Sequence, residues 1–274
     1  VGEPAAGPAR APYRLLALDV DGTLVGSGLE ITPRNLAALQ AAVAAGVHVV
    51  LATGRMFRSA LPYARQIGAK DPLICYQGAV VRGVDGELVR EWPVDPDSAA
   101  AAVAFSRTHD VHVNLYHDDN FYIEKDSWGA RRYAEVAQID PILVPDLMQL
   151  ARGGSTKTVY VDRPERLRTL EPELRRAIEP RCRATFSLPE FLEVVAADVS
   201  KARALEVVCE RLGVDRSQVL VAGDAPNDAE MFAYAALAVA PRSAHPSVLA
   251  AAHATVAPPD EDGIAELVER FLLV

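Results

Sequence analysis

The apolar run Leu15-Leu16-Ala17-Leu18 ends in Asp19-Val20-Asp21-Gly22-Thr23, and this junction constrains the fold more than any other segment. A buried strand that delivers two carboxylates into a glycine turn places paired negative charge at the C-terminal edge of a sheet, where ligands bind in open α/β folds. Asp19 and Asp21 share strand parity, although the turn at Gly22 can re-aim the second. Two acids this close repel unless a cation neutralises them or one stays protonated. One carboxylate can then ligate Mg2+ and attack an electrophile while its neighbour serves as acid or base. The same pentapeptide also reads as a plain strand closed by an Asp-Gly turn.

The pattern around this junction is that of a parallel sheet. Residues 13–19 form a short strand, and Thr32-Pro33 opens a helix with Thr32 as N-cap and Pro33 at the first helical position. Residues 47–52 form a second buried strand running into Thr53-Gly54-Arg55; a helix follows to Gly68, and residues 73–76 form a third strand. This β-α-β-α-β order implies parallel strands with right-handed crossovers. The middle of the chain differs: strands over 111–116 and 121–124 flank His117-Asp118-Asp119-Asn120, a hairpin signature. A charged helix over 126–136, a strand over 156–161, a helix over 164–178 and strands near 183–186 and 191–195 complete an α+β region. Alternation then returns, with a helix over 201–212, a strand over 219–222, a helix over 227–234, a strand over 237–240 and two more helices.

The expected architecture is therefore an α/β core over 13–81 and 199–274, Rossmann-like, with an α+β domain inserted over 82–198. Residues 1–12, rich in Ala, Pro and Gly, read as a disordered tail. A chain of 274 residues with 50% hydrophobic and 24% charged residues can build such a core. Its net charge of -9 argues against nucleic acid or an anionic membrane as partner, and no apolar stretch reaches the ~20 residues of a membrane span. Three dispersed cysteines, Cys75, Cys182 and Cys209, suggest reduced thiols and a cytoplasmic protein.

Three further segments sit where strands end or helices begin. In Thr53-Gly54-Arg55, a hydroxyl and backbone N–H groups at a strand-to-helix turn suit a phosphate oxygen, or Thr53 simply caps the next helix. Lys201 starts a helix, where the dipole disfavours a cation, in a chain with only four lysines (Lys70, Lys125, Lys157, Lys201). In Gly223-Asp224-Ala225-Pro226-Asn227-Asp228, Asp224 leaves a strand while Asn227 and Asp228 open a helix, an oxygen set that suits Mg2+. Gly153-Gly154-Ser155-Thr156-Lys157-Thr158 lacks the glycine spacing of a P-loop and precedes a strand, so no nucleotide site is expected there.

In this order, Asp-x-Asp-Gly-Thr, Thr-Gly-Arg, Lys and Gly-Asp-x-x-Asn-Asp resemble the haloacid dehalogenase superfamily of phosphohydrolases, and more narrowly its Cof-like members with a large inserted cap. The resemblance covers nearly the whole chain from Tyr13. It implies a Mg2+-dependent phosphatase acting through an aspartyl phosphate. Asp19 would be the nucleophile, and Asp21 the acid and then the base. Thr53, Gly22, Gly54 and Asn227 would contact the phosphate, while Lys201 would bridge phosphate and nucleophile. Mg2+ would be held by Asp19, the Asp21 carbonyl, Asp224 and Asp228. The chain departs from the Cof-like pattern at Gln77, where Asn is usual, and at Pro241-Arg242, where Met-Gly is usual.

The cap would supply specificity. Within 111–116, His112, Asn114 and Tyr116 share one strand face; if helices cover only the other face, this set lines a substrate chamber suited to a sugar or polyol phosphate, or is merely a solvated face. Arg55 and Arg183 are further candidates for substrate contact. The expected partner is a small phosphorylated metabolite, with the protein a monomer or homodimer. A phosphotransferase or phosphomutase using the same aspartyl phosphate, and a catalytically idle binding module, are the alternatives.

Overall fold

The computed structural model describes residues 13–273; the tail expected over 1–12 lies outside the described residues. The chain forms two compact units, crossing between them at Ala52/Thr53, Pro62/Tyr63, Pro72/Leu73 and Ala204/Leu205.

The first unit is built on a five-stranded parallel sheet ordered Ala254–Val256, Leu237–Pro241, Val219–Ala222, Leu15–Leu18, His48–Leu51. Leu15–Leu18 pairs with Val219–Ala222 on one side and His48–Leu51 on the other. The chain direction across the sheet reverses between the first two of these strands, which is the switch point where a crevice opens at the strands' C-terminal ends. Both strands are wholly buried, as continuous apolar runs require in a sheet covered on both faces. The expected cap at Thr32 is present: its hydroxyl accepts from Asn35 N (3.3 Å) and donates to Asp262 Oδ1 (2.6 Å), with Pro33 opening the helix Pro33–Ala44. The strand Ala254–Val256 was not foreseen, because three residues between polar turns carry too little periodicity.

The second unit holds a six-stranded sheet ordered Cys182–Leu188, Phe191–Ala196, Thr158–Val161, His112–His117, Asn120–Ile123, Ile142–Leu143, antiparallel except for the last pair. The hairpin turns at Asp118 and Asp119, whose φ values of 49° and 55° match the paired left-handed residues of a tight two-residue hairpin. One face carries Val113, Leu115, Tyr160, Leu192 and Val194, which pack with Ala102 and Val103 of the helix Pro96–His109 and with Leu167 and Leu174 of the helix Pro164–Ile178.

Two expectations are corrected here. The strand Leu73–Cys75 does not extend the parallel sheet; it pairs antiparallel with Val80–Arg82 in a three-stranded sheet completed by Leu88–Glu91. The cause is local: Tyr76 and Gln77 are left-handed (φ 55° and 60°) and Gly78 follows at φ 100°, so the chain doubles back. Nor is the face bearing His112, Asn114 and Tyr116 open. The helix Trp128–Ala137 packs on it through Tyr133, whose ring lies 6.0 Å from Tyr116, 5.2 Å from Phe121 and 5.1 Å from Phe191. Gly129 permits the close approach, since a Cβ there would sit 2.8 Å from His112 Cβ. Asn114 and Tyr116 are fully buried. Among the described residues no helix is long and apolar enough to cross a membrane.

Candidate active site

In the first unit, Asp19 leaves the strand Leu15–Leu18 and Asp224 follows the neighbouring strand Val219–Ala222. Asp19, Asp224 and Asp228 each offer a carboxylate oxygen, and the three oxygens lie within 4.8 Å of one another. Asp19 and Asp228 are buried and Asp224 is half-buried. The loops are tied together by side chains. Thr23 Oγ1 donates to Asp224 Oδ1 (2.9 Å), so the first loop orients the carboxylate of the second. Asp228 Oδ2 accepts from the backbone N–H groups of Asp224 (3.0 Å) and Ala225 (3.1 Å), which pins the carboxylate under its own loop. Three clustered carboxylates offer only oxygen and accumulate negative charge, the donor set a hard divalent cation prefers. The residues present fit Mg2+. The Asp21 side chain is exposed and outside this trio.

Gly22 is required twice over. Its φ is +84°, and a Cβ there would lie 2.3 Å from Asp224 Oδ2. Gly22→Ala is therefore expected to cost about 1–3 kcal/mol of stability and to weaken Mg2+ binding, because the displaced group is a member of the trio. Urea unfolding and Mg2+ titration would check this; an alanine variant equal to wild type in both would contradict it.

In the second unit, the Thr53-Gly54-Arg55 turn is fixed by backbone bonds to the strand Leu73–Cys75 and to the turn that follows it. Thr53 N donates to Ile74 O (2.8 Å), Gln77 N to Thr53 O (3.1 Å) and Tyr76 N to Arg55 O (3.0 Å). Arg55 N donates to Thr53 Oγ1 (3.1 Å), so the hydroxyl oxygen is held as an acceptor. A Cβ at Gly54 would meet the Gln77 side-chain amide at 2.4 Å, so a larger residue there would have to displace that amide. Lys201 is buried at the start of the helix Lys201–Leu212, and Gly78 lets the Tyr76-Gln77-Gly78 turn approach that start: a Cβ on Gly78 would lie 2.2 Å from Ser200 O. Asn227 is half-buried in the 3-10 turn Pro226–Asp228 of the first unit, and Arg242 pairs there with Glu266 at 4.0 Å.

The sheet face singled out by His112, Asn114 and Tyr116 carries chemistry that sequence reasoning passed over. Registers place Glu193 opposite Val159, and Val159 opposite Asn114, so these residues share a face. Lys157 and Glu193 are both buried there, with Lys157 Nζ 3.0 Å from Glu193 Oε2. The ammonium lies 5.1 Å from the Tyr116 ring centre and 5.7 Å from that of Tyr76, within cation–π range. Burial pulls the Lys157 pKa down, but Glu193 and Tyr133 together outweigh it and the net shift is upward. Tyr76 is held protonated by burial and by Asp119, to whose Oδ1 its hydroxyl donates (2.6 Å). Burial also lowers the His112 pKa, against its bond to Asn114 Oδ1 (2.8 Å). The signal was present in the sequence: one of only four lysines, and a glutamate inside the apolar run Phe191-Leu192-Glu193-Val194-Val195. Arg183 is half-buried on the strand Cys182–Leu188, and Arg55 is half-buried with Nη1 3.5 Å from Ser59 Oγ.

Residues 16–268 match the family model of haloacid dehalogenase-like hydrolases. A Thermotoga maritima protein of known crystal structure is 31% identical, with a TM-score of 0.85 over 94% of this chain and 97% of its own. The HMP-PP phosphatase of Serratia proteamaculans is 29% identical over 221 residues, 81% of this chain and 81% of its own. The 5-amino-6-(5-phospho-D-ribitylamino)uracil phosphatase of Bacillus subtilis is 25% identical over 279 residues, 95% of this chain and 97% of its own.

Proposed function

We propose, from the premise that this chain belongs to the haloacid dehalogenase-like hydrolases, that it is a Mg2+-dependent phosphatase of a small phosphorylated metabolite, with a sugar or polyol phosphate as substrate class. The observation that carries the reading is the convergence of the Asp19, Asp224 and Asp228 carboxylates at the ends of adjacent parallel strands. Two relatives named as phosphatases support the reaction, and one of them, named for a phosphoribityl compound, supports the substrate class.

In this reading an Asp19 oxygen attacks phosphorus, and the bond from phosphorus to the leaving oxygen breaks. Asp21, exposed and able to exchange protons with solvent, protonates that oxygen. Asp21 then takes a proton from water as the water attacks the aspartyl phosphate, releasing inorganic phosphate and restoring Asp19. The Thr53 hydroxyl and the Gly22 and Gly54 backbone would contact phosphoryl oxygens. Lys201 would neutralise charge on the phosphate and keep Asp19 ionised, and Asn227 would orient the phosphate. Asp19, Asp224, Asp228 and the Asp21 carbonyl would hold Mg2+, which when bound neutralises the charge of the transferring group. Residues 82–198 would form the substrate-reading cap, with Arg55 and Arg183 as candidate contacts; His112, Asn114 and Tyr116, covered by the helix Trp128–Ala137, are not among them.

The test is phosphate release from a panel of phosphorylated sugars, polyols and other metabolites. Activity on at least one of them is expected with Mg2+, lost on chelation and restored by added Mg2+. Silence across the panel with Mg2+ present would overturn the reading.

A further inference from the structure

Buried ion pairs are weak sources of stability, since apolar residues of similar volume do as well or better. The Lys157–Glu193 pair therefore calls for another explanation, and its third partner supplies one. Lys157 Nζ donates to Gly54 O at 2.9 Å. That carbonyl belongs to the same peptide unit as Arg55 N–H, which donates to Thr53 Oγ1 at 3.1 Å. A peptide unit is rigid and planar, so fixing its oxygen fixes the direction of its N–H. A hydroxyl whose oxygen is committed to accepting that N–H has its own proton turned away from it.

We infer that Lys157 is a positioning residue: by clamping the Gly54–Arg55 peptide it orients the Thr53 hydroxyl to donate to a phosphoryl oxygen of the substrate. The inference rests on the proposed role of Thr53. Thr53 N, Thr53 O and Arg55 O are held by Ile74 of the neighbouring strand and by Gln77 and Tyr76 of the turn that follows it. The Gly54 carbonyl is held instead by a charged group just ahead of the strand Thr158–Val161, 103 residues along the chain. Glu193 holds the ammonium in place, with Oε2 3.0 Å away. The rings of Tyr76 and Tyr116 border it. The net upward shift of the Lys157 pKa keeps the clamp charged through neutral pH.

The experiment is a double-mutant cycle. Lys157→Met/Glu193→Leu removes the clamp without leaving a buried unpaired charge. It is compared with wild type, and again in a Thr53→Ala background. In the wild-type background, kcat for phosphate release should fall ~10- to 100-fold, the size of a misplaced contact. In the Thr53→Ala background, the same pair of substitutions should change kcat less than ~3-fold, because the group it acts through is gone. Equal losses in the two backgrounds, or no loss in the first, would overturn the inference.

Hydrogen exchange at the Arg55 amide, followed by NMR without any substrate, gives a second and independent readout. The clamp predicts exchange at least ~10-fold faster in Lys157→Met/Glu193→Leu, and unchanged exchange would also overturn it. If wild type releases no phosphate from any compound, the proposed function falls, while the Arg55 amide still decides whether Lys157 sets the turn.

Discussion

Asp19→Asn should lower kcat for phosphate release by at least ~10^3-fold, about 4 kcal/mol of barrier, while the fold is retained. The substitution keeps the volume of the side chain and leaves the backbone bond from Asp19 N to Ala222 O (3.0 Å) untouched. An amide oxygen is a far poorer nucleophile toward phosphorus than a carboxylate, so the loss should fall on kcat more than on KM. Stability separates this effect from misfolding. Asp19, Asp224 and Asp228 crowd their carboxylates within 4.8 Å, and like charges that close repel. One carboxylate of the cation-binding trio is lost, so Mg2+ should stabilise the variant against urea less than it stabilises wild type. An active Asn variant, or one that Mg2+ stabilises as much as it stabilises wild type, would contradict this account of the acidic centre.

The second large effect is on stability. Lys157→Met alone should cost about 3–5 kcal/mol, because it strands the Glu193 carboxylate in a buried site without its cation. Glu193 is 3% exposed and Lys157 0%, so solvent cannot replace the lost partner. The double variant Lys157→Met/Glu193→Leu should recover most of that loss, since both charges are then gone and the volume is filled. Denaturant midpoints of the two variants check the pair. If the single substitution proves as mild as the double one, the pair is not held in a water-excluded environment.

Much of the acidic centre was legible because its determinants are local. An apolar tetrapeptide followed by an acid needs no knowledge of distant contacts to be read as a strand end, and both Asp19 and Asp224 sit in that context. Helices opened by a proline were legible for the same reason: Pro33 and Pro164 open theirs where expected. The helix Pro96–His109 was not read, although Asp95 caps it by accepting from Asp97 N and Ser98 N; its alanine-rich body offers little apolar contrast. The pairing of Leu73–Cys75 depends on left-handed conformations at Tyr76 and Gln77, which neither residue type announces.

The face bearing His112, Asn114 and Tyr116 shows where parity stops helping. Alternation places those residues together, but whether a face is open depends on what packs over it, here the helix Trp128–Ala137 through Tyr133. The Lys157–Glu193 pair joins residues 36 apart, and the Lys157–Gly54 bond joins residues 103 apart. Such contacts are products of the tertiary fold, and sequence can offer only the oddity of a charge inside an apolar strand.

The central claim, that Asp19 carries the phosphoryl group, can be tested on the enzyme during turnover. The protein would be quenched while hydrolysing its best substrate with Mg2+ and reduced with borohydride, which converts an aspartyl phosphate to homoserine. The peptide spanning residues 15–34 would then be sequenced by mass spectrometry. The account predicts homoserine at position 19, dependent on substrate and Mg2+ and confined to that position. An unmodified Asp19 in an enzyme that is turning over, or a label at Asp21 instead, would contradict it.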